Sequence, residues 1–269
     1  MALVGFKSHN FFYFFNFFMV ESAYISEIFN SIQGEGIFTG IRQVFIRFQG
    51  CPLHCIYCDT PVSRTQTVDM CKVEYTPCTG EFRSIPNPVD IATLTEIIEN
   101  IWSAGTGHLS LTGGEPLIYA DFIDELFREV DYPLYLETSG CNPEQARKLQ
   151  YIIDIASCDV KLPEHNATSD YDSLFESELE TIRIFYEAGA VTFLKVVVSR
   201  TTKKKALVAI AKKVSDLDDT IPLVIQPVTP GYGLDYPLPE QLMELMDAAG
   251  EYLVDIRAVP QIHKMMGLL

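Results

Sequence analysis

Cys51, Cys55 and Cys58 stand within eight residues in the run CPLHCIYC, a C-x3-C-x2-C spacing. Thiolates this close together are soft ligands suited to iron or zinc. A structural zinc site or a fully protein-ligated cubane cluster takes four protein ligands. Three cysteines on a [4Fe–4S] cluster leave one iron free to bind another molecule. Half of a zinc site and a set of free buried thiols are the competing readings. His54 lies inside the loop but next to Cys55, an awkward position for shared tetrahedral coordination. Cys71 and Cys78 form a C-x6-C pair that matches no common zinc spacing, and two cysteines are too few for a second site.

Other polar residues sit where short apolar runs end. Thr112-Gly113-Gly114-Glu115-Pro116 follows one such run. Its glycines let the backbone approach a ligand, and its carbonyls with the Glu115 carboxylate suit an ammonium group. A plain strand-to-helix turn is the alternative. Glu137-Thr138-Ser139-Gly140, Asp159-Val160-Lys161 and Gln226-Pro227-Val228-Thr229 end three further runs. Singly each reads as a capped loop, and together they suit a nucleoside-binding face. Ser31-Ile32-Gln33-Gly34-Glu35-Gly36, ahead of Thr39-Gly40, reads as a loop that folds over a planar ligand. Arg47 lies among apolar neighbours and needs an anionic partner, either a structural carboxylate or a substrate carboxylate. Asp59-Thr60 directly follows Cys58, and His263 sits in the late run Pro260-Gln261-Ile262-His263-Lys264 as a site or core histidine.

The elements that must position these residues alternate between periods of two and 3.6. Gln43 to Phe48 reads as a strand leading into the cysteine loop. Asp90 to Ala104 reads as a helix with Ile91, Leu94, Ile97, Ile98 and Ile101 on one side. Strands follow at His108 to Thr112, Leu134 to Glu137, within Ile152 to Val160, at Val191 to Ser199 and at Ile221 to Gln226. A seventh strand or edge segment is expected at Tyr252 to Val259. Helices fall at Asp121 to Val130, after the Asn142-Pro143 cap, at Leu174 to Ala188, Thr202 to Val214 and Pro239 to Ala249. This order predicts an α/β fold, a partial (β/α)6 barrel of parallel strands with right-handed crossovers. Every motif above then lies at the carboxyl ends of the strands, where such sheets do their chemistry. Arg64 to Val89 interrupts the pattern with three prolines and reads as an insertion after the first strand, a lid or a dimer contact.

The chain has 269 residues, 48% of them hydrophobic, and a formal charge of −16. That charge repels phosphate backbones, so no nucleic-acid partner is expected. Seven cysteines with three clustered do not suggest a disulfide framework, and an oxygen-sensitive cluster requires a reducing compartment, so a cytoplasmic location is expected. Residues 1–22 are read as an extension to a catalytic domain at 23–269. Within it Phe11 to Val20 is dense in aromatics but too short for a membrane span, which takes roughly twenty residues. A translation start at Met19 is the preferred explanation, ahead of a signal peptide without a convincing cleavage site or an arm packing on a partner chain.

The cysteine spacing, with Tyr57 before the third cysteine, resembles the signature of the radical S-adenosylmethionine (SAM) superfamily. More narrowly, IQGEG, FIRFQGCPLHCIYCDT, TGGEP, ETSG and PQIHK occur in the order found in the 7-carboxy-7-deazaguanine synthase family, over residues 24 to about 264. The resemblance implies conversion of 6-carboxy-5,6,7,8-tetrahydropterin to 7-carboxy-7-deazaguanine with loss of ammonia, on the route to queuosine and archaeosine. It implies a [4Fe–4S] cluster on Cys51, Cys55 and Cys58, and SAM contacts at Tyr57, Cys58, Asp59, Gly114, Ser139, Asp159, Lys161 and Gln226. It implies pterin contacts at Ile32, Gln33, Gly34, Arg47 and Thr112, joined by His263 from the residue reading, and Mg2+ at the Thr60 hydroxyl. It further implies an electron donor such as flavodoxin or ferredoxin and a homodimer. Two departures from the family stand out: the tail continues through Met265-Met266-Gly267 to Leu269, and the Arg64 to Val89 insertion is longer than in compact members. A glycyl-radical-enzyme activating enzyme shares the cysteines and GGEP but needs neither IQGEG nor Arg47. A non-catalytic iron–sulfur electron carrier takes four protein ligands.

Overall fold

The computed structural model describes residues 22–64, 68–229 and 234–269. Residues 1–21 of the anticipated N-terminal extension, with its aromatic run and Met19, lie outside the described residues, and Ser22 already belongs to the first strand. The described chain runs through Ser22–Ala23 (β1) and Ile25–Ile32 (β2), turns at Gly36–Phe38, and returns along Arg42–Phe48 (β3). Met70–Glu74 (β4) and Phe82–Pro86 (β5) form a hairpin, and Val89–Asp90 (β6) pairs with β1. Strand and helix then alternate: Ile91–Ile101 (α1), Thr106–Gly113 (β7), Ala120–Glu129 (α2), Leu134–Thr138 (β8), Pro143–Leu149 (α3) and Ile155–Asp159 (β9). The series ends with Tyr171–Glu187 (α4), Val191–Val198 (β10), Lys204–Ser215 (α5), Leu223–Pro227 (β11), Pro239–Gly250 (α6), Ile256–Ala258 (β12) and Ile262–Met265 (α7).

Local signals set these boundaries. Leu94, Ile97, Ile98 and Ile101 form the buried stripe of α1, and Asp90 Oδ1 caps it by accepting from Thr93 N at 2.7 Å. The helix stops at Ile101, short of the predicted Ala104, because Trp102 turns to extended backbone and stacks on Tyr132 with ring centroids 3.8 Å apart. Asn142 and Pro143 begin α3 as their types predict. Gly189, at φ +93°, takes the chain out of α4 into β10.

The sheet order is β12-β11-β10-β9-β8-β7-β3-β2-β4-β5. From β3 through β12 every neighbour is parallel, which gives the six predicted strands and the extra one at the edge. Two features add to the predicted barrel. Beyond β3 the sheet is not a simple parallel barrel: β2 runs antiparallel to it, with Glu27 opposite Arg47 and Phe29 opposite Phe45. The segment ISEIFNSI intersperses polar residues among apolar ones and sits ahead of the first strand that periodicity picks out. Residues 64–89 are also not simply a lid, since β4 pairs parallel to β2 and extends the sheet as a side wall. Within that wall Cys71 is buried in the main core, whereas Cys78 is exposed in the turn of the β4–β5 hairpin.

The barrel interior has two layers. Tyr135, Ile155, Phe193 and Val224 make an apolar floor, with Ile37, Phe38 and Val259 packed against it. Burying such a side chain contributes roughly 1.5–3 kcal/mol. Gly36 lies directly on this floor, and a Cβ there would come 2.6 Å from Phe193 Cζ. The loop after β2 is therefore plugged into the barrel, and it lifts Gln33 and Glu35 into a polar layer above.

Candidate active site

A cleft of about 770 Å³ opens above that polar layer. Its walls are the cysteine loop, the carboxyl ends of β7, β8, β9 and β11, the loop after β2, the β4 wall and the C-terminal segment. The cysteines Cys51, Cys55 and Cys58 line it, as do Ile32, Gln33, Gly34, Arg47, Tyr57, Asp59, Thr60, Thr112, Gly114, Ser139, Asp159, Lys161, Gln226 and His263. The sequence-predicted site residues, drawn from eight separate stretches of chain, thus meet in one place.

The cysteine loop is anchored by its own backbone. His54 N donates to Ala167 O at 2.8 Å, Ile56 N to His165 O at 3.1 Å, and Arg64 Nη2 reaches Cys55 O at 2.6 Å. Leu53 and Cys55 pack with Ala167 and Leu174, and Cys51, Tyr57, Cys58 and Cys141 border that cluster. Burial pushes the Cys51 thiol up to about 11 and raises Cys55 as well. Among the described residues no three His, Cys, Asp or Glu side chains converge on a point suited to one metal ion. A cubane does not ask for such a point, because its three cysteines bind three different irons.

The Glu115 carboxylate does not play the part anticipated for it in the glycine run. Glu115 is fully buried, and its carboxylate accepts from Leu117 N at 3.1 Å, Thr138 Oγ1 at 2.6 Å, Ser139 N at 2.8 Å and Ser139 Oγ. It is committed to bracing the end of β8, so it is not an ammonium acceptor. Gly114 N donates to Phe48 O at 2.9 Å and Glu115 N to Gly50 O at 2.7 Å, which ties the run to the start of the cysteine loop. Gly113, at φ +116°, passes so close that a Cβ would lie 2.4 Å from Phe48 O.

On the far wall Lys161 Nζ pairs with Asp159 Oδ2 at 2.9 Å and lies 5.5 Å from the centre of the Tyr57 ring. Burial raises the Asp159 carboxyl, but the Lys161 and Lys195 ammonium groups overcome it and hold the group below its usual range. Several buried atoms here find no partner among the described residues: Tyr57 Oη, Asp159 Oδ1, Gln226 Oε1 and both amide atoms of Gln49. Each leaves a desolvation cost of about 1–3 kcal/mol unless something polar meets it. All four side chains line the cleft beside the three thiols.

The deep end of the cleft is charged. Lys195 Nζ pairs with Glu35, and their side chains are 8% and 14% exposed. Burial raises Glu35, and the adjacent Lys195 outweighs it and leaves the carboxyl below its ordinary value. Glu137 goes the other way: burial raises it and Lys195 only partly offsets this. The loop expected to fold over a ligand instead sends Glu35 inward to Lys195. Arg47 meets the first of the two partners the sequence left open, a structural carboxylate. Its Nε lies 3.3 Å from Glu27 Oε2, its guanidinium lies over Phe29, and the side chain still borders the cleft.

The C-terminal segment fastens the site. Gln261 Nε2 donates to Glu35 Oε1 at 2.6 Å and to Asp59 Oδ2 at 3.0 Å, and Lys264 Nζ reaches Asp59 Oδ2 at 2.8 Å. Although burial opposes it, the hydrogen bonds from Lys264 and Gln261 hold the Asp59 carboxyl at about 2. Gly34 abuts His263, where a Cβ would fall 2.0 Å from Nδ1. Leu268 and Leu269 border the cleft, and Ser31 Oγ donates to Leu269 O at 3.4 Å.

Lys195, Glu27 and Gln49 escaped the sequence reading. Lys195 left a usable signal: a lone lysine in the middle of VTFLKVVV must point somewhere polar or pair with a carboxylate.

Comparison with known proteins fits this geometry. A family model for the Radical SAM superfamily matches residues 45–214. The 7-carboxy-7-deazaguanine synthase of Methanothermobacter thermautotrophicus is 38% identical over 258 residues, covering 91% of this chain and 97% of its own. The one from Methanocaldococcus jannaschii is 38% identical over 252 residues, covering 91% and 100%. The crystal structure of QueE from Escherichia coli shares the fold with a TM-score of 0.57 at 20% identity, covering 89% of this chain and 94% of that one. The chain therefore belongs to the radical SAM superfamily and, within it, to the 7-carboxy-7-deazaguanine synthases.

Proposed function

We propose that this cleft converts 6-carboxy-5,6,7,8-tetrahydropterin to 7-carboxy-7-deazaguanine with loss of ammonia. The observation that carries the reading is the set of orphaned buried atoms on Tyr57, Asp159, Gln226 and Gln49, which border the same cleft as three cysteines. They fit a polar cofactor in addition to the cluster. Cys51, Cys55 and Cys58 would hold the [4Fe–4S] cluster, and Asp159, Lys161, Gln226, Tyr57, Gly114 and Ser139 would hold SAM. When bound there, these groups supply hydrogen-atom abstraction by a radical.

The remaining work falls to the chain. Arg47, already anchored by Glu27, offers the rest of its guanidinium to the substrate carboxylate. Ile32, Gln33, Gly34, Thr112 and His263 enclose the ring, and the β4 wall and the tail keep water out. Thr60, whose hydroxyl lies 3.9 Å from Cys58 Sγ, would bring Mg2+ to the same carboxylate. Asp59 reaches SAM only through its backbone, because its carboxylate is taken by Gln261 and Lys264. A low-potential donor such as flavodoxin or ferredoxin, a homodimer and a cytoplasmic location belong to the same reading. Among the described residues no helix is long and apolar enough to cross a membrane.

Anaerobic reconstitution with iron and sulfide, followed by SAM, dithionite and the pterin, tests this. The deazapurine and ammonia are expected by mass spectrometry and enzymatic assay. SAM cleavage without any deazapurine product would overturn the assignment in favour of another radical SAM activity. Thr60→Ala is expected to raise the Mg2+ needed for half-maximal turnover by roughly fivefold, the weight of one neutral oxygen contact. An unchanged Mg2+ requirement removes Thr60 from the site.

A further inference from the structure

A directed chain of hydrogen bonds leaves the cleft through the β2–β3 side of the barrel. Gln33 Oε1 accepts from the backbone N–H of Glu35 at 3.0 Å. A peptide N–H only donates, so this contact fixes which end of the Gln33 amide is which. Both hydrogens on Gln33 Nε2 are then used, one on Glu137 Oε1 at 2.8 Å and one on Gln43 Oε1 at 3.2 Å. With its oxygen facing Gln33, Gln43 turns its Nε2 toward His108 Nδ1 at 3.2 Å. That contact is a hydrogen bond only when Nδ1 carries a lone pair, so the imidazole is neutral with its proton on Nε2. Gln33 and Gln43 are 2% and 0% exposed, so bulk water does not compete for these partners. His108 itself does not border the cleft.

We propose that His108 is a positioning residue for Glu137: its Nδ1 lone pair at one end, acting with the Glu35 N–H at the other, holds the direction of the Gln43–Gln33 amide chain and so the N–H that the Glu137 carboxylate receives. Turning Gln43 over would set its N–H groups against those of Gln33. Gln33 would then have to turn as well, giving up Glu35 N and setting its oxygen against Glu137. That second arrangement favours a proton on Glu137, whereas the first favours the carboxylate. Around Glu137 stand the Lys195 ammonium, Glu35, the Arg47 guanidinium and the Thr112 hydroxyl, the last donating to Oε2 at 3.2 Å. Around His108 stand Asp154, the edge-on Phe38 ring and Tyr135, and burial lowers its pKa, in keeping with the neutral ring.

The test uses the full chain labelled with ¹⁵N at histidine, with His108 identified by its missing signals in His108→Asn. At neutral pH the shifts should show Nδ1 unprotonated and Nε2 protonated. A proton on Nδ1 ends the proposal. Two variants provide a second measurement. His108→Asn sets an amide oxygen near the Nδ1 position, whereas His108→Leu keeps bulk and offers no acceptor. Glu137 borders the cleft, and with its carboxylate taken as the form that turns over, the acid limb of kcat/KM is expected to move up by about one pH unit in His108→Leu, a tenfold change in the protonation equilibrium, and to stay near wild type in His108→Asn. A limb unmoved in the leucine variant, or moved equally in both, overturns the assignment. A purely structural role would lower activity without moving the limb. If His108→Leu does not fold, the wild-type tautomer alone decides. The kinetic measurement rests on the function proposed above and the tautomer does not, so the two readings fail separately.

Discussion

Cys51→Ala is expected to fold normally, load no intact cluster and cleave no SAM, while Cys141→Ala retains both. The loop that carries Cys51 is held by His54 on Ala167, Ile56 on His165 and Arg64 on Cys55, none of which involves the Cys51 side chain. Loss of one half-buried thiol therefore costs about 1 kcal/mol or less in the apo protein. Cluster loading is another matter, since two thiolates do not retain a cubane that three were placed to hold. Cys141 borders the same cluster of side chains, and among the described residues it is the further cysteine packed against the loop. Burial, with the nearby Glu115 carboxylate, pushes its thiol up to about 12, so it is a poor thiolate. The pair of variants separates a three-cysteine cluster with an open iron from one closed by a fourth protein ligand. Iron content, visible absorbance and 5′-deoxyadenosine formation read the difference. Cluster loss in Cys141→Ala, or SAM cleavage at the wild-type rate in Cys51→Ala, would refute the coordination scheme.

Much of this site could be read in advance because its residues sit at strand ends in a parallel sheet, and a βα repeat fixes where those ends must meet. Asp90, Asn142 and Pro143 announced their helices through side-chain chemistry that acts within four residues. What escaped was non-local. The antiparallel β2 depends on a partner reached across the Gly34–Gly40 loop, and β4 pairs with β2 across some forty intervening residues. Neither pairing leaves a mark in a short window of sequence. Glu115 was misread for a related reason. A carboxylate after two glycines looks like a ligand for an amine until Thr138 and Ser139, more than twenty residues on, fill its lone pairs. Lys195 and Gln43 likewise acquire meaning only when Glu35 and His108 arrive from elsewhere in the chain.

Lys195→Met is expected to destabilise the fold by roughly 3–5 kcal/mol at neutral pH, because it strips the cation from a buried ion pair and leaves the carboxylate. Lys195 is the ammonium shared by Glu35, Asp159 and Glu137, and burial would depress its pKa were the three carboxylates not there to raise it. In the wild type Glu35 titrates below its ordinary value, so its contribution is present above the unfolded pKa and fades as pH falls through the folded one. In the variant burial and the Asp59 charge are opposed only by the Gln261 hydrogen bond, and the folded pKa of Glu35 rises above the unfolded value. Its penalty is then greatest at neutral pH and shrinks as acid protonates the group. The gap between the two proteins should therefore narrow on going from neutral pH toward the unfolded carboxylate range. Adding Glu35→Gln removes the orphaned charge and keeps the acceptor for Gln261 Nε2, so the double variant should regain about half of the loss or more. Urea unfolding of the three proteins at two pH values measures this. A single variant within about 1 kcal/mol of wild type, with an unaltered pH dependence, would show that the barrel interior admits enough water to solvate Glu35 without its lysine.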